Sequence, residues 1–362
     1  MRFTMRPSLP LLNAWFFDRT RPQACPKMGL VVSCICLLLQ SCAYFRSDSE
    51  QPNWQAFDQQ QIQTDLQPLD LTVPYHPTEA IQEYFEYYDL DIPHATHTFG
   101  TLESEDEMLV VHVFAPPESR GSLFLLHGYF DHTGTLSKLI KAGVAQTYTV
   151  VVWDLAGHGL SSGKRTETGE FSDCAQQLDE LIQQTSTQLP QPYNLIAHST
   201  GCSIALEYMY SHPEYTFQRT VFLAPLIRHE HWTSAKFGYT LAKPFTNSLR
   251  RRDKKNSSDS AYMDFVKQDP LHSNTLSFEY LEDLYAWEKT TQDYPLWSGS
   301  LCIIQGDDDN IVDWDYNLDF LREKIQDPEI YIIPEARHQL ANESEALRQQ
   351  VFQLIFTYLN QP

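Results

Sequence analysis

One serine in the stretch LIAHSTGC, residues 195–202, lies between strand-forming residues and the small residues that open a helix. This pattern is close to the nucleophile elbow Gly-x-Ser-x-Gly, a sharp strand-to-helix turn that exposes the serine hydroxyl. Ser199 is therefore a candidate nucleophile. Ala197 stands where the pattern has its first glycine, and it adds only one methyl group to a turn that needs small residues. We expect a slightly tighter elbow that still functions.

A serine hydroxyl becomes a good nucleophile only with a base within hydrogen-bond reach. His338, in ARHQLANE near the end of the chain, is the candidate base, and its ring needs a carboxylate to orient it. The stretch GDDDNIVD offers this carboxylate on one loop, from Asp307, Asp308, Asp309 or Asp313. The chain order serine, aspartate, histidine is that of α/β-hydrolases and differs from that of chymotrypsin and of subtilisin.

Attack on a carbonyl group also requires donors for the oxyanion that forms. The backbone N–H of Thr200, directly after the serine and at a helix start, is one candidate. The backbone N–H of Tyr129, after the His-Gly of HGYFDHTG, is the other. The sequence thus predicts a complete set of groups for acyl transfer.

These groups must be positioned by a common sheet. Apolar runs that read as strands alternate with helical patterns, as in βα units. The runs cover 108–114, 122–128, 149–155, 193–199, 219–225, 300–306 and 329–335. The candidate residues follow the strand ends, which is where sites form in open α/β sheets. We predict a doubly wound, mostly parallel α/β sheet from residues 76–225 and 298–362, with a helical cap inserted at 226–297.

The motifs HGYFDHTG, DLAGHGLSSGKR, AHSTG, GDDDNIVD and ARHQLANE occur in this order between about residues 95 and 360. Together they resemble the lysophospholipase and monoacylglycerol lipase group of serine α/β-hydrolases. The resemblance implies the α/β-hydrolase fold and a cap that shapes an acyl pocket. It assigns the nucleophile to Ser199, the base to His338 and the oxyanion donors to Tyr129 and Thr200. It selects Asp309 as the acid, with Asp308 second.

The N-terminal residues have a different character from the rest. Arg19, Arg21 and Lys27 precede a short apolar run that ends in LQSC, which is the order of a secretory leader. LQSC also resembles a bacterial lipobox, in which Cys42 carries the lipid. We therefore expect a signal peptide at 1–41, a polar tether at 42–75, and a lipid-anchored protein of the bacterial cell envelope. In the lipobox rule, Ala43 favours the outer membrane, facing the periplasm.

Composition excludes several other classes of protein. The net charge of −21 argues against nucleic-acid binding, which needs clustered Lys and Arg. No metal-ligand spacing is present, and we expect neither a metal nor another cofactor. Beyond Cys42, the remaining cysteines fall in apolar stretches and are expected to be buried small hydrophobic residues: Cys174, Cys202 and Cys302.

The function expected from these features is hydrolysis of carboxylic esters of single-chain lipids through an acyl-enzyme. The partners would be a lipid or small ester and, through the anchor, a membrane. The same catalytic groups would also serve a transacylase, a thioesterase or a hydrolase of small peptides. A third hypothesis is a non-enzymatic envelope lipoprotein that uses the fold for binding. Labelling and turnover assays separate these alternatives.

Overall fold

The structure is a computed structural model of the 362-residue chain, and it describes residues 56–104, 107–250 and 254–361. All elements below lie in one compact unit, Gln55–Pro362. The predicted signal peptide at 1–41 and Cys42 lie outside the described residues. Within the described part, no helix has the length and apolar character that a membrane crossing requires.

Ten strands occur in the described residues, and eight of them form one sheet in the order β1-β2-β4-β3-β5-β6-β9-β10. Their bounds are β1 Thr96–Ser104, β2 Glu107–Ala115, β3 Ser122–Leu126, β4 Thr149–Trp153, β5 Tyr193–His198, β6 Phe217–Leu223, β7 Ser248–Arg250, β8 Thr275–Ser277, β9 Leu301–Gly306 and β10 Glu329–Ile333. Strand β2 is antiparallel to both β1 and β4, and all other pairings in this sheet are parallel. The predicted fold class is confirmed.

Helices cover both faces of this sheet. Their bounds are α1 Gln59–Asp65, α2 Glu79–Tyr87, α3 Ser137–Ala145, α4 Phe171–Thr185, α5 Thr200–Ser211, α6 Trp232–Ala242, α7 Ser260–Val266, α8 Phe278–Thr291, α9 Trp314–Lys324 and α10 Glu345–Leu359. In β3, Phe124 joins the core formed with α4 and α5, whereas Leu123 and Leu125 join the core formed with α3 and α10. A strand buried on both faces needs no polar alternation, which explains its continuous apolar sequence.

The segment between β6 and β9 contains α6, α7 and α8, and we call residues 226–297 the cap. It also contains β7 and β8, which pair antiparallel in a small second sheet that the sequence analysis did not predict. Each of these strands has three residues. Three residues are too few to give a recognisable alternation, so pattern analysis misses them.

The described part of the predicted tether differs from the expectation. Residues 56–75 include helix α1, and the side chains of Phe57 and Ile62 are buried. The Phe57 ring packs edge-on against Tyr84 of α2, with 5.4 Å between ring centroids. Two isolated apolar residues make no periodic pattern, so their burial depends on tertiary contacts that the sequence does not display.

A buried network joins Tyr88, directly after α2, to Asp269 of the cap. The hydroxyl of Tyr88 donates a hydrogen bond to Oδ1 of Asp269, 2.6 Å away. Oδ2 of Asp269 lies 2.9 Å from Nε2 of His132, in the loop after β3, and both side chains are fully buried. The Asp269 side chain is therefore held from two sides, by His132 in the loop after β3 and by Tyr88 after α2.

Candidate active site

Ser199 lies at the turn between β5 and α5 and is almost completely buried. Its backbone has φ 52° and ψ −116°, a left-handed conformation that costs a non-glycine residue about 1 to 3 kcal/mol. A Cβ added to Gly201 would come within 2.6 Å of the Leu126 carbonyl oxygen, so the helix start can approach β3 only with glycine there. Ala197 is fully buried and is accommodated at the end of β5.

His338 connects the serine to a carboxylate. Its Nε2 lies 2.9 Å from Ser199 Oγ, and its Nδ1 lies 2.8 Å from Asp309 Oδ2. An ionised carboxylate only accepts hydrogen bonds, so Nδ1 carries the proton and Nε2 is left to accept one from the serine. The structure therefore brings together the three residues Ser199, His338 and Asp309, in the geometry that nucleophilic catalysis needs.

Asp309 is fixed by several donors. Its Oδ1 accepts a hydrogen bond from the Ile311 N–H at 2.8 Å, and its Oδ2 accepts one from Gln305 Nε2 at 3.1 Å. Burial raises the pKa of Asp309, but His338 and these donors outweigh burial and hold the pKa below its ordinary value. Its neighbour Asp308 is half-exposed and instead pairs with Arg337, with 2.8 Å between Oδ2 and Nε. The geometry thus favours Asp309 over Asp308.

The titration of His338 is set by its surroundings. Burial lowers the pKa of His338, and the carboxylate of Asp309 offsets only part of this effect. The imidazole is therefore neutral near neutral pH. A neutral ring with a free Nε2 is the form that can accept a proton from a hydroxyl group.

The backbone at Tyr129 and Thr200 flanks Ser199. Thr200 is the first residue of α5, so its N–H has no acceptor within the helix. The loop that contains Tyr129 passes very close to the serine, because a Cβ built on Gly128 would lie 3.2 Å from Ser199 Cβ. Both predicted oxyanion donors thus belong to segments that border the serine.

The other histidines near the site hold loops. His127 accepts a hydrogen bond from the Leu155 N–H at 3.0 Å through Nε2, and its Nδ1 lies 2.8 Å from the Gly128 carbonyl oxygen. His158 contacts the carbonyl oxygens of Ala156 and Tyr129. Both rings connect neighbouring loops through backbone groups.

His198, Asp131 and Gln339 form a buried polar network that sequence analysis did not find. Nδ1 of His198 lies 3.1 Å from Asp131 Oδ2, and Gln339 Nε2 lies 3.0 Å from Asp131 Oδ1. Asp131 is in the loop after β3, and Gln339 follows His338 directly. This network was missed because its members come from three separate stretches of the chain, and only the fold brings them together.

A cavity of about 260 Å³ opens beside Ser199 between the core and the cap. Its lining is mostly apolar, and the cap supplies much of it. Apolar residues of the lining are Phe130, Leu226, Met263, Val266, Leu276, Leu281, Leu284, Ile311 and Val312. Polar residues of the cap also reach the cavity, among them His229, Asn256, His272 and Asn274. A mostly apolar lining with a few polar groups is typical of sites that bind small molecules.

Two findings concern metals and thiols. Among the described residues, no group of three or more His, Cys, Asp or Glu side chains is placed to hold a metal ion. Cys174, Cys202 and Cys302 are free and buried, as predicted. Burial raises the pKa of the Cys174 thiol to about 12, so this group is inert as a nucleophile.

One protein family matches most of this chain. The family model, Hydrolase_4, described as serine aminopeptidase S33, matches residues 117–345. The matched segment begins after β2 and ends at the start of α10, so it contains Ser199, Asp309, His338 and the cap.

Two curated relatives are similar over part of their length. A monoacylglycerol lipase of Mycolicibacterium smegmatis is 30% identical over 107 residues, which cover 29% of this chain and 38% of that protein. An uncharacterized abhydrolase domain-containing protein of Dictyostelium discoideum is 23% identical over 218 residues, 58% of this chain and 23% of that protein. The chain thus spans well under half the length of both relatives.

Solved structures show the same fold. A soluble variant of monoglyceride lipase from Saccharomyces cerevisiae, in complex with a substrate analog, has a TM-score of 0.63 at 20% identity, covering 72% of this chain and 94% of that one. A monoacylglycerol lipase of Paleococcus ferrophilus has a TM-score of 0.59 at 22% identity, covering 69% and 98%. At these identities the likeness establishes the architecture.

Proposed function

The chain belongs to the Hydrolase_4 family, described as serine aminopeptidase S33, and we propose that it is a serine hydrolase that cleaves carboxylic esters of single-chain lipids. The substrates would be lysophospholipids or monoacylglycerols. One observation carries the proposal: the hydrogen-bonded series from Ser199 through His338 to Asp309, at the wall of a mostly apolar cavity. The similarity to a monoacylglycerol lipase supports the choice of substrate class.

The proposed reaction has two stages. Ser199 Oγ attacks the ester carbonyl carbon while His338 Nε2 takes its proton, and the Tyr129 and Thr200 N–H groups bind the oxyanion. The tetrahedral intermediate then collapses, and His338 gives the proton to the leaving alcohol. A water molecule, deprotonated by His338, next attacks the acyl carbon, and His338 then returns the proton to Ser199 Oγ as the fatty acid leaves. Asp309 keeps the imidazole oriented and stabilises its positive charge.

We also propose that the enzyme is held at a membrane surface. Lipid attached to Cys42, after removal of residues 1–41, would hold the enzyme at the bacterial envelope, in the outer membrane facing the periplasm. An enzyme held there would meet single-chain lipids within the membrane surface. The ester of such a lipid lies near the headgroup plane.

Labelling with a fluorophosphonate probe tests the nucleophile. The wild-type protein should be labelled, and Ser199→Ala should not be. A hydrolysis panel of lysophospholipids, monoacylglycerols, p-nitrophenyl esters, acyl thioesters and short peptides then tests the substrate class. Ester hydrolysis that Ser199→Ala abolishes is the expected result. Equal labelling of the variant would remove Ser199 from its role, and preferred turnover of peptides would replace the lipid assignment.

Transfer and binding are tested in the same panel. An added alcohol or lipid acceptor would trap a transacylase by forming a new ester in place of the free acid. Absence of any turnover, by either wild type or His338→Ala, would instead support a binding protein. We expect free acid as the main product from the wild-type enzyme.

A further inference from the structure

Tyr280 is a cap residue that lies over the candidate oxyanion donors. It belongs to the first turn of α8, is almost completely buried, and lines the same cavity as Ser199. No motif in the sequence marks it, because it lies in the cap, outside the five motifs that carry the family resemblance.

The contacts of Tyr280 reach both donor residues. Its ring stacks on the ring of Tyr129, with 3.7 Å between centroids and an angle of 19° between the planes. Its hydroxyl lies 2.7 Å from Thr200 Oγ1, and the two hydroxyls share a hydrogen bond. One side chain therefore contacts the two residues whose backbone N–H groups would bind the oxyanion.

The cap holds Tyr129 at a second point as well. The Tyr129 hydroxyl accepts a hydrogen bond from the Ser277 N–H at 3.1 Å, and it donates one to the Thr166 carbonyl oxygen. Ser277 is the N-cap of α8, so it precedes Tyr280 by one turn. The start of this cap helix thus fixes the Tyr129 side chain through both its ring and its hydroxyl.

We propose that Tyr280 is a positioning residue for the oxyanion hole, acting through Tyr129 and Thr200, an inference that rests on the proposed function. The two donors come from separate loops of the core, one after β3 and one at the start of α5. Oxyanion donors stabilise a transition state only when they are held in place before charge develops. A single rigid ring that touches both loops fixes their separation, and it makes the oxyanion hole depend on the docked cap.

The Tyr280 hydroxyl does not act as an acid or a base in the reaction. Burial raises the pKa of its hydroxyl far above the ordinary value, so the group stays protonated. It therefore serves as a hydrogen-bond partner of Thr200 and does not exchange protons with the substrate.

Two substitutions in the full-length enzyme separate the two contacts. Tyr280→Phe keeps the ring and removes the hydrogen bond, and we expect kcat for a short soluble ester to fall about tenfold, the value of one hydrogen bond. Tyr280→Leu also removes the stacked ring, and we expect a fall of about 100-fold, approaching the loss of one oxyanion donor. KM for the short ester should change little in either variant.

Three further variants test whether loss of the hydrogen bond between Tyr280 and Thr200 causes the fall in kcat. Tyr239→Phe removes a hydroxyl from cap helix α6 at a ring that packs on Phe278, outside the cavity lining, and it should keep wild-type kcat. Thr200→Val should reproduce the loss of Tyr280→Phe, and the double variant should be no worse than either, because one hydrogen bond is lost in each. Thr200→Ser keeps the hydroxyl, so its loss of kcat should be smaller than that of Thr200→Val.

A trifluoromethyl ketone inhibitor gives an independent readout. Ser199 Oγ adds to its carbonyl carbon while the proton passes to His338, which leaves an oxyanion in the same site, so the affinity of the inhibitor should fall in parallel with kcat/KM in Tyr280→Phe. Wild-type kcat in both Tyr280 variants, or a rise in KM alone, would overturn the inference and leave the ring as pocket lining. If Tyr280→Leu does not fold, Tyr280→Phe decides. Ester turnover that survives in Ser199→Ala would instead refute the proposed function itself.

Discussion

Nε2 of His198 lies 3.1 Å from the backbone carbonyl oxygen of His338. The other ring nitrogen of His198 faces Asp131 Oδ2, also at 3.1 Å. The residue before the candidate nucleophile thus contacts the loop that carries the candidate base.

This arrangement predicts the acid limb of the pH profile. Burial lowers the pKa of His338 most, the carboxylates of Asp309 and Asp131 raise it, and Coulombic repulsion from His198 lowers it, with a net decrease. A base works in its neutral form, so activity is lost as the pH falls through this lowered pKa. We expect kcat/KM to reach half its plateau below pH 6.5, the approximate value of an ordinary histidine. Chromatography of the released fatty acid measures it.

The variant His198→Gln sharpens this test. The amide can still donate a hydrogen bond to the His338 carbonyl oxygen, but the Coulombic repulsion that lowers the pKa of His338 is removed. The midpoint of the acid limb should therefore move to higher pH. A midpoint above that of ordinary histidine in the wild type, or a downward shift in the variant, would contradict this account.

Replacing the acid should distinguish two adjacent aspartates. Asp309→Asn removes the carboxylate that orients His338, and we expect kcat to fall by about 10³ to 10⁴, as for triads generally. Asp308→Asn is the matched control, because Asp308 pairs with Arg337 at the surface. A surface ion pair is worth about 0 to 1 kcal/mol, so this variant should stay close to wild type. The reverse ranking in initial-rate assays would move the acid to Asp308.

Gly128 has no room for a side chain. A Cβ there would come within 2.9 Å of Asp131 Oδ2, 3.0 Å of His198 Nδ1 and 3.2 Å of Ser199 Cβ. We expect Gly128→Ala to slow fluorophosphonate labelling strongly and to destabilise the protein by about 1 to 3 kcal/mol. Gly238→Ala, where nothing lies within 4 Å, should label at the wild-type rate. Equal labelling rates for the two variants would show that the Gly128 loop can adjust.

The buried hydroxyl of Tyr88 should contribute to stability. Tyr88→Phe leaves one oxygen of the buried Asp269 carboxylate without this donor, and we expect the free energy of unfolding to fall by about 1 to 3 kcal/mol. The neighbouring Tyr87 is the control, because its hydroxyl makes a long 3.5 Å contact at the surface. Tyr87→Phe should stay within about 0.5 kcal/mol of wild type. Urea unfolding followed by circular dichroism measures both, and equal losses would argue against the network.

Lipid attachment can be tested in bacterial cells. Growth with an alkyne-labelled fatty acid should label the wild-type protein, and Cys42→Ser should abolish the label. The variant should also leave the membrane fraction more readily, unless an uncleaved leader retains it. Labelling that persists in Cys42→Ser would place the lipid elsewhere or remove the lipobox assignment. Ser199→Ala should be labelled like wild type, since lipidation does not depend on catalysis.

Local patterns of the sequence were sufficient for seven of the eight strands of the large sheet, and for the candidate nucleophile and base. Strands such as β3 and β4 are buried on both faces, which gives them unbroken apolar sequences. Ser199 and His338 were found because each follows a strand end. The choice of Asp309 needed the family resemblance, since four aspartates share its loop.

Other features depend on contacts between distant parts of the chain. Strand β1, with the sequence THTFGTLES, carries few apolar residues and was not predicted. Phe57 gave no periodic signal, and its burial appears only when α2 is in place. The stacking of Tyr280 on Tyr129 joins positions far apart in sequence, and no local pattern encodes such a pair.

The contact between Tyr280 and the two core loops bears on how caps can be exchanged between related enzymes. A cap transplanted from a relative would bring a new pocket shape, but it would also replace the ring that touches Tyr129 and Thr200. Chimeras designed to alter substrate preference would then lose turnover for every substrate alike. Grafts that keep the start of α8 with the host core, and vary only the remainder, would change selectivity while preserving rate.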